Sequence, residues 1–526
     1  MDSPSDTPRA YWRKCSSNRD EKGMRQMTKS TPKTKRQPTS AEAYLCVTLV
    51  FGLVIGAMFL GVAVQATMLL ASIVAVIFAT RLGYTWDDLE KAIADKLGQL
   101  APTVCILWLI GMFLGSILFS GTLPLLVKYG FELINPKFLY VSALLVCSVL
   151  SIMTGSSWTS VSTGGIACMT ICQMLGANDA IMAAAVISGA IFGDKISPMS
   201  ETTNLAPACV GNSLWSHIHA QLYTTVPAYL IAIVFYTALG LKSGGSTAIP
   251  ESATAIINQL DEIYNLTPLL LIPVILLLGL AVARKPTIPS LLGSSVVAMI
   301  IGVLTQGDRF TITASTVAAI KGFNVANVAP QGMEVLERVS YLLNRGGMIS
   351  MANVVMICYT GFALTAILIR CGILDKAVEP LMHFADTRIK AVFTAEIAIF
   401  VVHAVAGISY LSSVFVGSAW KKCYVKNKIG LPALSRTLED VGTTVSCLFP
   451  WGQSGAFYMA TLGVSIYGAN GYFKYLTLSY LCPIIALILA VINVGMFNLS
   501  DEQAAAEMAK IEEEEGNMKS MAELDN

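Results

Sequence analysis

Apolar and polar positions along this chain fall in long blocks rather than alternating residue by residue. Continuous hydrophobic runs lie near residues 44–62, 64–80, 101–119, 138–153, 180–193 and 215–240, and again near 266–283, 288–305, 350–370, 389–406 and 474–497. Many approach the roughly 20 residues a helix needs to cross a bilayer. Between them lie segments rich in Gly, Ser and Thr. Such interruptions are tolerated only where freed backbone groups meet protein or a wet cavity. The pattern predicts an all-α polytopic membrane protein of about 11–12 membrane segments, with broken helices and re-entrant hairpins.

The blocks recur in order. Trp86 to Lys91 precedes a span in the first half, and Glu334 to Arg338 does so in the second; both read as interfacial amphipathic helices. SGTLPLLVKYG from Ser120 matches CGILDKAVEPL from Cys371, and MTGSSWTS from Met153 matches VAGISYLSS from Val405. An acidic segment then follows in each half, ahead of Pro207 and Pro450. Matches kept in order point to a duplication. The predicted division is a disordered basic tail (1–42), a first transmembrane repeat (43–240), a polar linker (241–265), a second repeat (266–498) and an acidic tail (499–526). Lys421, Lys422, Lys426, Lys428 and Arg436 follow the second Gly-Ser segment, whereas Gln173 to Asp179 has no basic residue. Opposite faces of the membrane would explain that difference, so the repeats are expected to be inverted.

Composition agrees with this reading. The chain of 526 residues is 54% hydrophobic and 13% charged, against about 25% charged in a soluble domain. A net charge of +1 and the lack of a compact basic domain give no sign of nucleic acid. The 12 cysteines are scattered through apolar runs, as at Cys46, Cys105, Cys147 and Cys168, and read as reduced, buried thiols. The basic tail is expected on the cytoplasmic side of the plasma membrane, where it could also touch anionic lipid headgroups. Walker, HExxH and GxSxG motifs are absent, which argues against an enzyme or a primary pump.

Charged residues inside membrane segments carry the chemistry, since each unpaired charge there costs roughly 2.5 kcal/mol or more. The first constellation is Asp194 and Lys195, then Glu201, Thr202, Thr203 and Asn204 after Pro198. Proline breaks the helix and frees carbonyls for a cation and amides for an anion. Hydroxyl, amide and carboxylate oxygens are the hard ligands an alkali cation needs. The competing reading is an ion pair that locks the bundle. The second constellation is Arg436, Glu439, Asp440, Thr443 and Thr444, in which Arg436 and Asp440 can meet at i, i+4. A carboxylate that binds either H⁺ or Na⁺ is the simplest exchanger.

The Gly-Ser segments, with Gly155, Ser156, Ser157 and Thr159 in one half and Gly407, Ser409, Ser412 and Ser413 in the other, have the composition of re-entrant tips. Small residues that permit close helix packing are the equal alternative. Glu396 and His403, seven residues apart in an apolar span, form a minor further pair, either a proton relay or a locally satisfied polar contact.

At these residues the chain resembles the NhaC family of Na⁺/H⁺ antiporters. SGAIFGDKISPMSETTNLAP and LSRTLEDVGTTVSCLFPWGQSGA are similar to that family's two signature regions, and the likeness covers most of 44–497. The resemblance implies secondary transport without a cofactor, Na⁺ and H⁺ as the transported ions, and a homodimer as a plausible assembly. Similar sequences include carriers that exchange sodium and lactate for protons and malate. Glu201 stands where Asp is more usual, a one-carbon change in reach. In the leading reading, Asp194, Glu201, Glu439 and Asp440 carry the competing ions and the neighbouring Thr and Asn residues supply neutral oxygens. Lys195 and Arg436 then balance charge. In the alternative, Lys195, Arg436 and the Gly-Ser tips bind an organic acid. A channel or receptor is disfavoured by the duplicated broken helices.

Overall fold

The computed structural model describes residues 35–60, 62–133, 135–242, 251–283 and 285–524. Most of the basic tail and the start of the linker lie outside the described residues. The rest of the linker is more ordered than its polar composition predicts. It forms a helix that buries Ile256, Leu260 and Ile263.

The first half begins with α1 (Ser40–Phe59) packed on α2 (Val64–Arg81). Next comes α3 (Trp86–Ser120), 35 residues long. Its start is a capping box: Thr85 and Asp88 satisfy each other's backbone amides. Trp86 therefore opens the long helix itself rather than a separate interfacial one. Outside the apolar stretch, the Lys35 ammonium and the Thr85 cap hold Asp88 below the usual carboxylate range. A short α4 (Thr122–Leu133) leads to α5 (Leu139–Thr154), which ends at Gly155 in the left-handed region, φ 65°. The chain turns there and returns through α6 (Ser157–Ser160), one π turn and α7 (Ile166–Met174). The ends of this hairpin meet where the Asn178 amide donates to Tyr140 Oη at 2.9 Å. Then α8 (Asp179–Ile196) and α9 (Glu201–Val210) form one broken element bent by 49°. The half closes with α10 (Leu214–Lys242), and α11 (Glu251–Ile263) is the linker helix.

The second half also contains a hairpin and a broken element. Its first members are α12 (Ile272–Val282), α13 (Thr287–Thr305), α14 (Ile312–Lys321), α15 (Glu337–Leu343), α16 (Ala352–Arg370) and α17 (Ile373–His383). The second hairpin is α18 (Arg388–Ala406), Gly407 at φ 69°, and α19 (Ser409–Lys426). Asn427 Nδ2 closes it by donating to the Ala385 carbonyl at 2.9 Å. A second broken element follows, α20 (Leu431–Gly442) and α21 (Gln453–Leu462), then α22 (Leu478–Ile492) and the acidic tail as α23 (Asp501–Leu524).

Among the described residues, eight helices are long and apolar enough to cross a membrane, or ten if each of two bent pairs is one span. That is fewer than the pattern predicts. The shortfall lies where α20 is only 12 residues and polar, and where α22 is 15 residues. One cysteine also differs from expectation: Cys105 is exposed, although Cys46, Cys147 and Cys168 are buried.

The halves interlock. α3 packs on α13, and α16 packs on α2, while α3 and α16 touch each other. Backbone meets backbone at this seam, where Gly347 N donates to Gly111 O at 2.7 Å. Within the first half, α5 and α8 pack closely. A Cβ on Gly189 would lie 2.2 Å from Leu144 O, and one on Gly193 would lie 2.5 Å from the Ser151 Cβ. This Gly-xxx-Gly pair lets the helices approach closely enough for Ser151 Oγ to donate to Ala190 O at 2.6 Å. Gly189→Val should force the helices apart and lower the detergent-solubilised unfolding temperature, at a cost of about 1–3 kcal/mol. An unchanged melting profile would contradict the packing.

Candidate ion-binding site

Both broken elements carry an ionisable pair in the last turn of their first helix: Asp194-Lys195 on α8 and Glu439-Asp440 on α20. The two members of each pair point different ways, because neighbours on a helix are about 100° apart. Lys195 Nζ crosses to the other half and meets Asp440 Oδ1 at 2.6 Å, with both side chains fully buried. Thr224 of α10 donates to the same oxygen at 2.8 Å. Arg436 is also fully buried, and its Nε lies 3.7 Å from Asp440 Oδ2. Its Nη1 donates to the Gly495 carbonyl at 2.8 Å.

Asp194 turns instead toward a cavity of about 1000 Å³. Ser157 Oγ, at the first hairpin tip, donates to Asp194 Oδ2 at 2.6 Å, and Ser200 Oγ donates to Oδ1 at 2.6 Å. Ser200 is also the N-cap of α9, so a single residue starts the helix and orients the acid. The broken backbone is stitched by Thr203 Oγ1, which donates to Asp194 O at 2.8 Å. Asn204 Nδ2 donates to the Pro198 and Ser200 carbonyls.

The cavity wall brings together Asp194, Glu201, Thr202 and Asn204 with Gly155, Ser156, Ser157 and Thr159 from the first tip, and Gly407, Ser409 and Thr443 from the second half. Glu201 and Asn204 are exposed to it. Glu439 lies behind this wall, buried, with the Thr202 and Thr443 hydroxyls and the Lys195 ammonium as polar neighbours. Lys195, Thr203, Arg436, Asp440 and Thr444 stand deeper, away from the wall. The Thr444 hydroxyl donates to the Asp440 carbonyl. Ser412 and Ser413 are buried along α19, away from the cavity.

Glycine makes the tips possible. A Cβ on Gly155 would sit 2.6 Å from the Met199 backbone, and one on Gly407 would sit 3.1 Å from Gly452. Each tip thus lies against the break of its own half. His403 does not join the site: it stacks on Phe449, ring centroids 5.4 Å apart. Glu396 is buried beside Arg436 and Asp440 rather than beside His403.

Sequence reasoning missed the contributions of Ser200 and Thr224, which depend on tertiary contact. It also missed a polar run on α10, in which His217 Nδ1 lies 2.9 Å from Ser435 Oγ and Gln221 Nε2 lies 3.4 Å from His217 Nε2. The positions 217, 221, 224 and 225 share one helix face, a periodicity that could have drawn attention to them.

Two interlocked halves, each with a hairpin and a broken helix whose polar ends meet at one buried site, define a polytopic membrane carrier. The chain belongs to the Na⁺/H⁺ antiporter family, which it matches over residues 33–203 and 189–494. It is 34% identical over 466 residues to the Na⁺/H⁺ antiporter NhaC of Alkalihalophilus pseudofirmus, covering 88% of this chain and 97% of that one. An uncharacterised Na⁺/H⁺ antiporter of Haemophilus influenzae is 33% identical over 478 residues, 90% of this chain and 99% of its own. The malate-2H⁺/Na⁺-lactate antiporter of Bacillus subtilis is 28% identical over 457 residues, 87% and 95% respectively.

Removing one partner of the central pair strands a buried charge, which costs about 3–5 kcal/mol. Lys195→Met and Asp440→Leu should each sharply reduce folded yield in membranes, and the double variant should recover most of it. Equal losses in all three would show that the pair does not act as a unit.

Proposed function

We propose that the protein is a Na⁺/H⁺ antiporter that exchanges sodium for protons by alternating access. The observation that carries this reading is the Asp194 carboxylate, 7% exposed on the wall of a polar cavity and held by two hydroxyl donors. A carboxylate so placed can give up a proton and accept a dehydrated cation in its stead. Thr202, Asn204, Thr443 and the tip serines complete an oxygen shell, with Glu201 at the approach. Glu439 is the second exchanging acid. Lys195, Thr203, Arg436, Asp440 and Thr444 hold the shell in place from below.

The inverted arrangement belongs to the same proposal. The open end of the first hairpin meets the end of α10, where a Cβ on Gly240 would lie 2.4 Å from Lys137 O. The start of α10 meets the start of α20 through His217 and Ser435. α20 in turn follows the open end of the second hairpin. The two hairpins therefore enter from opposite ends of α10, which favours inversion. Gln37, near the end of the basic tail, packs against Gly372, just ahead of the second hairpin and its lysines. A cytoplasmic end for both, in a plasma membrane, follows from the positive-inside rule.

One observation favours a second reading. The cavity is far larger than a sodium ion, and the starts of α6, α9, α19 and α21 line it through Ser157, Glu201, Ser409 and Gln453. Helix starts favour anions, so a small organic acid could travel with sodium, as the name of the malate/lactate relative describes.

Purified protein in proteoliposomes with an internal pH dye should show proton movement driven by a sodium gradient, and Asp194→Asn should abolish it while leaving membrane insertion intact. Undiminished exchange by that variant would defeat the assignment. In the same vesicles, labelled lactate uptake that requires sodium would establish the second reading, and its absence would exclude lactate.

A further inference from the structure

The central site contains more unpartnered polar atoms than its ion pair explains. Arg436 Nε and Nη2, Asp440 Oδ2 and Glu396 Oε1 are all buried without a hydrogen-bond partner. Glu396 is 7% exposed, Arg436 and Asp440 not at all. Glu396 lies on α18 and the other two on α20, and these helices pack against each other. Arg436 has electrostatic neighbours in both acids, so its guanidinium is offered two carboxylates and is fully engaged by neither.

Charge accounting sharpens the point. Lys195 and Arg436 are the cations in this cluster, and Asp194, Glu396, Glu439 and Asp440 are its carboxyls. Asp440 is committed to Lys195 at 2.6 Å. Arg436 then needs a second anion, since a lone buried cation is costly. We propose that Glu396 is a positioning residue for exchange: its carboxylate neutralises Arg436, so that Lys195 and Arg436 are matched by Asp440 and Glu396. Asp194 and Glu439 are thereby left free for the transported cations. This rests on the antiporter reading above. The other groups around it are Tyr424 of α19, Tyr223 of α10 next to Arg436, and Cys482 of α22 next to Asp440.

Loss of the Glu396 charge leaves one uncancelled positive charge near the cation site. Glu396→Gln should raise the apparent KM for sodium about tenfold, the order of effect of one uncancelled unit charge at an effective dielectric near 20. The effect on KM should exceed the effect on turnover. Glu396→Asp, which keeps the charge, should restore the affinity. The double variant Glu396→Gln/Arg436→Gln removes both charges and should bind sodium more tightly than Glu396→Gln alone. A wild-type KM in Glu396→Gln would overturn the proposal, as would losses in the double variant equal to the sum of the singles. If Glu396→Gln does not insert, the double variant and Glu396→Asp decide: insertion and sodium affinity regained in both support the proposal, and failure of both overturns it. Wild-type exchange in the same vesicles is the separate control: its absence would defeat the antiporter reading itself.

Discussion

The contact between Lys195 and Asp440 is the constraint on which the remaining architecture hangs. Each residue sits at the end of the first helix of a broken element, one from each half, and water reaches neither. Two charges taken out of water cost several kcal/mol each unless their geometry is good and their remaining valences are filled. Thr224 donates to the Asp440 oxygen that Lys195 also holds, and Arg436 lies 3.7 Å from the other oxygen. The pair therefore fixes the register of α8 against α20, and with it the positions of the preceding residues, Asp194 and Glu439. One residue of each dyad, Lys195 or Asp440, is taken up by the ion pair between the halves, and the other is left out of it.

Close backbone approach is the second condition. The cavity forms where two hairpins turn on glycines with positive φ, at Gly155 and Gly407. Any larger residue would push each tip away from the break it covers. The helix pair behind the first tip is drawn together by Gly189 and Gly193, which is what brings Asp194 within reach of Ser157. Small residues in the apolar spans thus determine distances in the polar site.

Much of this was legible in the chain. The all-helical membrane class, the helix breaks in the two polar segments and the glycine turns at 155 and 407 follow from local pattern, because hydropathy and glycine placement act locally. Partnership was less legible. Arg436 and Asp440 share a helix face at i, i+4, yet Asp440 makes its shorter contact with a lysine 245 residues away. Glu396 and His403 share a face too, but His403 stacks on Phe449 and Glu396 faces Arg436. Helical spacing says which side chains can meet within one helix; only packing says which neighbouring helix competes for them. Ser200 carries no such signal in the sequence, because its role as a donor to Asp194 exists only once the chain bends at Pro198.

The long separation of Lys195 from Asp440 has a consequence for biogenesis. The ribosome delivers the first half, with its ammonium, well before the carboxylate that matches it. Until α20 arrives, Lys195 must remain uncharged, near the interface, or held by a transient partner. The first half is therefore not a self-sufficient folding unit, and completion of the second half is the step that lets the lysine settle at depth. Truncation between the halves would leave a nascent chain that the membrane's quality control can recognise by one unpaired charge.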